Sequence, residues 1–203
     1  MANVTLIRAA TLTATPWKNG GGVTREITCD PPGAGLDDFI WRISVADVNQ
    51  AGPFSRFAGV DRTLVLLAGD GMVLQEENSL QHALLQPLDH HQFAGETAIT
   101  ATLPGGATQD FNLMVRRDLA RAALNIWHNA HEHRFATETA VLFCASGSLL
   151  VHLSQHAPLI LRANDAIRID AASGLGCYIT GSGALLAVEL EMFTPALLRK
   201  THD

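Results

Sequence analysis

Residues 64–74 read LVLLAGDGMVL and residues 141–151 read VLFCASGSLLV. Each is an apolar strand, a tight glycine turn and a second apolar strand. A second match follows the first. Leu88-Asp89, two residues, then Gln92-Phe93 resembles Asn164-Asp165, two residues, then Arg168-Ile169. Both matches are offset by 76 to 78 residues. That period is too long for a solenoid unit and fits two copies of one small β domain.

Outward from these stretches a period of two dominates. Ile43 and Val45 alternate with Arg42 and Ser44, Ile99, Ala101 and Leu103 with threonines, and Phe111, Leu113 and Val115 with Asn112, Met114 and Arg116. The runs end in Gly52-Pro53, Gly69-Asp70-Gly71, Pro104-Gly105-Gly106 and Gly181-Ser182-Gly183. Short strands with such punctuation predict an all-β fold of barrel or sandwich type. Helical signals are few. Asp118–Leu124 (DLARAAL) has a capping Asp and three alanines yet can continue as a strand, and Thr194-Pro195 opens an expected short C-terminal helix.

Composition narrows the function. Of 203 residues 47% are hydrophobic and 17% charged, which excludes a disordered chain. A net charge of −6 offers no basic field for a phosphate backbone, so no nucleic-acid partner is expected. No apolar run approaches the roughly 20 residues a bilayer demands, and no membrane partner is expected. The opening MANVTLIRAATLTATPWKNG lacks a basic leader and apolar core, and Cys29, Cys144 and Cys177 form no C-x-x-C. The expectation is a cytoplasmic protein with three reduced, buried thiols.

The strand, glycine turn, strand, "G-D" turn pattern resembles cupin barrels. A cupin motif carries H-x-H, then a Glu, then six residues to the turn glycine, and its ligands hold a divalent metal. Counting back from Gly69, the Glu position is Arg62, and the His positions fall on Arg56 and Ala58 or on Ser55 and Phe57. Arginine stays protonated and ligates no metal. In the second half His131-x-His133 is two residues out of register, because the Glu position before Gly147 is Ala140. That cluster reads as a solvated polar loop between the halves, and His90-His91 as exposed at a turn. No metal and no cofactor are therefore expected.

Four ungapped segments in order carry a more specific resemblance: WKNGGGVTREI (17–27), WRISVADV (41–48), GPFSRFAGVDRTLVLLAGDG (52–71) and DFNLMVRR (110–117). They are similar to the HutD family, to which Ves also belongs and which is linked to bacterial histidine utilisation. The resemblance implies a bicupin fold without established enzymatic activity. It implies binding of a carboxylate intermediate of histidine breakdown, such as urocanate or formylglutamate, which modulates the pathway. The expected division is 1–117 as an N-terminal cupin-like barrel with the ligand pocket and 118–203 as a degenerate second barrel, with a single intertwined unit as the alternative. A homodimer is left open.

The same motifs can be read as chemistry. Strand alternation puts Asp110, Asn112, Met114 and Arg116 on one face, and Arg42 with Ser44 opposite Trp41, Ile43 and Val45. Arg62 shares its face with Leu64 and Leu66, which places its guanidinium inside, as an anion anchor or in a structural salt bridge to Asp110 or Glu26. Trp17-Lys18-Asn19-Gly20-Gly21-Gly22 lacks the P-loop pattern and is followed by strand-like alternation. It is either a loop at the cavity mouth, with Trp17 and Asn19 as ligand contacts, or an entry turn with Trp17 capping the barrel. The candidate ligand-binding set is Arg62, Trp17, Asn19, Glu26, Arg42, Ser44, Asp110, Asn112 and Met114. A non-catalytic carboxylate binder is the favoured function. A metal-independent isomerase or lyase, with Glu26 or Asp110 as base, is the alternative.

Overall fold

Alternation of apolar and polar residues resolves into strands throughout the described part of this computed structural model, residues 1–78 and 80–193. In chain order these are β1 (Asn3–Ile7), β2 (Ala14–Pro16), β3 (Gly22–Asp30), β4 (Trp41–Val48), β5 (Gly52–Pro53), β6 (Val60–Ala68), β7 (Met72–Glu76), β8 (Gln81–Leu84) and β9 (His90–Ala94). They continue as β10 (Ile99–Thr102), β11 (Thr108–Arg116), β12 (Ala120–His128), β13 (His131–Arg134), β14 (Thr139–Leu153), β15 (Leu159–Arg162), β16 (Ala166–Asp170) and β17 (Gly176–Met192). Ala9–Thr11 makes one 3-10 turn. Among the described residues no helix is long and apolar enough to cross a membrane. The fold is all-β.

The chain divides into two units, Leu12–Leu119 and a second made of Met1–Thr11 with the described residues from Ala120 onward. In the Leu12–Leu119 unit a six-stranded sheet runs β2-β3-β4-β11-β6-β9 and a four-stranded sheet runs β5-β10-β7-β8. Ala46, Val48, Leu64 and Leu66 of the first sheet pack on Met72, Leu74, Leu84, Ile99 and Ala101 of the second. Pairing of β11 sets Asp110 opposite Ala46 and Leu66, Asn112 opposite Ser44 and Leu64, and Met114 opposite Arg42 and Arg62. Parity along the strands then turns all of these side chains to the inner face.

The second unit holds a sheet of order β1-β16-β14-β17-β12, with β15 on β14 and β13 on β17. Its core includes Trp127, Phe135, Leu142, Leu149, Val151, Ile167, Ile169, Ile179 and Leu185. β14 changes partner along its length, pairing with β16 over residues 139–143 and with β15 over residues 148–151. β6 and β7 do the same as separate strands: β6 pairs β9, and β7 pairs β8. The internal repeat is therefore a repeat of topology. It extends to the turns, where Leu88 N–H donates to the Leu66 carbonyl and Leu66 N–H to the Asp89 carbonyl, at 2.7 and 2.9 Å. Asn164, Cys144 and Asp165 repeat the pattern at 2.8 and 2.9 Å.

The glycines near the change of partner have a steric cause. Gly69 has φ +100°, and a Cβ there would lie 2.6 Å from the Ala107 carbonyl oxygen. Gly147 has φ +78°, with the Ser182 carbonyl oxygen 2.0 Å from a Cβ. Backbone passes too close for any side chain in both copies.

Several expectations need correction. Val141–Val151 is not strand, tight turn, strand: β14 runs through it with only a bulge between Cys144 and Ser146. Of the two readings of DLARAAL the strand is the one adopted, from Ala120 onward, because β12 gains a full antiparallel ladder on β17. His131–Arg134 is not a loop but β13, paired to β17. The unit boundary lies at 119/120 instead of 117/118, and residues 1–11 join the second unit because β1 pairs β16. The expected helix at Thr194-Pro195 lies outside the described residues. All three cysteines are buried and none is in a disulfide.

Candidate functional site

Arg62 stands on β6 between apolar neighbours, and the fold leaves it only 7% exposed. Its Nε and Nη2 donate to Asn112 Oδ1 at 3.3 and 3.2 Å, and Nη1 donates to the Ser55 carbonyl at 3.4 Å. Three rings surround the guanidinium carbon: Phe93 at 5.0 Å, Phe54 at 5.3 Å and Phe57 at 5.7 Å from centroid. Such faces offset part of the lost hydration, about 0.5–2 kcal/mol each. Among the described residues no carboxylate lies within ion-pair distance of Arg62. Burial pulls its pKa down to about 10, with Asp110 pulling upward and Arg42 downward. The group is charged at neutral pH.

Asp110 lies on the same inner face and is 2% exposed. Burial pushes its carboxyl up to about 7, against the pull of Arg62 and with the push of Asp47. Arg42 is settled differently. Its Nε donates to Glu26 Oε2 at 2.7 Å and its Nη1 to Ser44 Oγ at 3.2 Å. Glu26 also receives the Cys29 thiol at 3.3 Å, and burial followed by Glu26 raises the pKa of that thiol. Glu26 thus neutralises Arg42, and among the described residues Arg62 has no ion-pair partner of its own. Neither form of the expected salt bridge to Arg62 is present: Glu26 serves Arg42, and Asp110 acts on Arg62 only through its field.

The inner face brings together Arg62, Arg42, Ser44, Glu26, Asp110, Asn112 and Met114. Met114 packs with Phe39, Val60 and Phe57, so it reaches the site through a ring that also covers Arg62. The glycine-rich segment is placed otherwise. Trp17 donates through Nε1 to Thr24 Oγ1 at 2.7 Å and packs on the core near Leu64 and Leu74. Asn19 is exposed and accepts from Gly21 N–H at 3.0 Å, closing its own turn. The entry-turn reading describes these contacts, and nothing sets Asn19 beside Arg62.

Phe54, Phe57, Phe93 and Ser55 join the site without having been among its candidates. Three of them sit in GPFSRF, inside a motif already singled out, and Phe93 has inward parity on β9. The expectation for His90-His91 holds for only one of the pair. His90 is at the surface, but His91 points inward, its ring stacked on His82 at 3.5 Å between centroids. Glu76 completes that trio. A cleft of about 750 Å³ opens alongside, lined by Phe54, Arg56, Glu76 and Gln81 among others.

The comparisons with known proteins agree along nearly the whole chain. The HutD family model matches residues 9–187. An uncharacterised 21.2 kDa protein in the hutC 3′ region of Pseudomonas putida is 37% identical over 187 residues, covering 92% of this chain and 97% of the relative. The protein Ves of Citrobacter koseri is 38% identical over 136 residues, 65% of this chain and 68% of its own. The solved structure of HutD from Pseudomonas fluorescens SBW25 superposes with a TM-score of 0.83 at 33% identity, over 95% of this chain and 100% of that one. Family model, sequence relatives and fold converge, and the chain belongs to the HutD family.

Proposed function

We propose that this chain is a cytoplasmic bicupin whose N-terminal barrel binds a small carboxylate, and that it modulates histidine utilisation without turning the ligand over. One observation carries the reading. Arg62 is a buried guanidinium, fixed by Asn112 and three phenylalanine rings, with no carboxylate of the described chain paired to it. A buried charge calls for a counter-ion, and a carboxylate can accept two parallel N–H bonds from its fork. The rings favour a flat conjugated acid lying against them. Urocanate fits that description, and formylglutamate offers the carboxylates alone. The relative in the hutC 3′ region supports the link to histidine utilisation.

A second reading, metal-independent isomerase or lyase chemistry, rests on Asp110, whose carboxyl near pH 7 suits proton transfer. Incubating each acid with the protein and following its absorbance or mass separates the two.

The binding test is calorimetry with urocanate and formylglutamate on wild type, Arg62→Lys and Arg62→Ala. Removing a desolvated contact of this kind costs about 2–5 kcal/mol, or roughly 30- to several-thousand-fold in affinity. Lys keeps the charge but not the fork, so it should recover only part of the loss. Binding within a factor of about three across all three proteins would make Arg62 purely structural.

A further inference from the structure

We propose that Glu76, His82 and His91 form a site for one divalent transition-metal ion, zinc by its donor set and spacing. The three residues come from β7, β8 and β9, and the sequence separates them by 6 and 9 positions. All have inward parity: Glu76 follows Met72 and Leu74, His82 faces Leu74, and His91 faces Leu64. One ligand atom from each lies within 4.8 Å of the other two. His82 Nε2 is 3.1 Å and His91 Nε2 3.7 Å from the same oxygen, Glu76 Oε1. Bonds of about 2.0–2.1 Å to a tetrahedral zinc set neighbouring ligand atoms about 3.3 Å apart, a spacing these two distances bracket.

Two further observations point to a ligand. His91 Nε2 is buried and has no hydrogen-bond partner, and a bond from its lone pair to a metal would satisfy it. The second unit then shows what the fold itself requires at these places. Strand register equates Glu76 with Leu153, His82 with Leu159 and His91 with Ile167. Leu153 and Ile167 are core residues there, and Leu159 packs against the same core. The topology is satisfied by three aliphatic side chains, so the Glu and two His answer some other need.

Two imidazoles and one carboxylate leave at least one coordination position open. Glu76 also lines the cleft of about 750 Å³. The set is distinct from the cupin ligand positions, one of which is Arg62, and so departs from the metal-free expectation drawn from those positions. Phe93 lies between the two centres, 5.8 Å from His91 by ring centroids and 5.0 Å from the Arg62 guanidinium carbon.

The test is calorimetric titration of the chelator-treated full chain with zinc chloride, alongside cobalt(II) absorption as a report of geometry. The expected result is one zinc per chain, micromolar or tighter, with a tetrahedral or five-coordinate cobalt spectrum. His82→Ala and His91→Ala should each weaken binding by about 100-fold, and Glu76→Gln by about 10-fold, at or beyond the 10–100-fold typical of outer-shell partners. His90→Ala, one residue away but outward, and His133→Ala, in the other histidine cluster, should stay within about threefold. Tighter binding of iron(II) than zinc with the same variant pattern supports the site and changes only its ion. No binding of zinc, cobalt, nickel or iron(II) at about 100 µM overturns it, as does wild-type affinity in His82→Ala and His91→Ala. Should these variants not fold, X-ray absorption on zinc-loaded wild type decides, two imidazoles being required.

Discussion

Asp110 is where the inner face of the six-stranded sheet meets the cost of burying charge. Its carboxyl ionises near 3.8 when unburied and near 7 in the folded protein. Between those values the folded form holds a proton that the unfolded form has released. Stability tied to this group is therefore complete below about pH 4 and is lost as pH rises through 7, by on the order of 4 kcal/mol in all. Asp110→Asn cannot ionise, so urea denaturation should show the variant gaining on wild type from pH 4.5 to 8 and then levelling. Parallel curves would place the ionisation elsewhere. The same group bears on the ligand. An incoming carboxylate beside Arg62 repels an ionised Asp110, so affinity should fall as pH climbs past 7, and binding near neutrality should take up protons. Calorimetry in buffers of different ionisation enthalpy reads that uptake directly.

Among the elements, the turn that leads into β9 and its counterpart into β16 share one backbone pattern but carry different residues at its left-handed position. Both adopt a left-handed conformation, Leu88 at φ +77° and Asn164 at φ +69°. Asparagine tolerates this region, whereas a leucine there carries a penalty of roughly 1–2 kcal/mol. The following aspartates are alike: Asp89 Oδ2 accepts from Leu85 and Gln86 N–H, and Asp165 Oδ2 from Arg162 N–H. Leu88→Asn should therefore stabilise the protein by about 1 kcal/mol, less what the half-buried leucine contributes by packing. Chemical denaturation measures it, and a destabilised variant would show that packing outweighs backbone strain. The turn itself is legible in the sequence, through the match of Leu88-Asp89 with Asn164-Asp165. Its left-handed residue is not, since only one copy carries a residue type that advertises it.

In the molecule as a whole, the first eleven residues serve the far end of the sequence. β1 pairs β16 over five residues, Val4 and Leu6 pack on the second core, and Arg8 Nη1 donates to Asp165 Oδ2 at 2.6 Å. Deleting residues 2–11 should destabilise the unit containing Trp127 by several kcal/mol, the scale of losing two packed aliphatic side chains. Replacing Trp17 and Trp41 by Phe leaves Trp127 as sole reporter, and its fluorescence midpoint in urea should fall sharply on truncation. An unchanged midpoint would mean that β1 only decorates the edge.

Side-chain parity is a property of a strand's own residues, so the sequence alone determined the all-β class, the repeat and, strand by strand, the faces of Arg42 with Ser44, of Arg62 with Leu64 and Leu66, and of Asp110 with Asn112 and Met114. That these faces are one face was decided by the pairing of β4, β11 and β6. The sequence also placed Arg62 inside, because Leu64 and Leu66 sit beside it with the same parity. Pairing between distant strands is not local, and what depended on it was decided only by tertiary structure. The partners of Arg62 and Arg42, the turning of His91 toward Glu76 and His82, the strand at His131–Arg134 and the transfer of β1 to the second unit all follow from which backbone found which neighbour. Those choices are made by burial summed over whole sheets, a quantity that no window of adjacent residues contains.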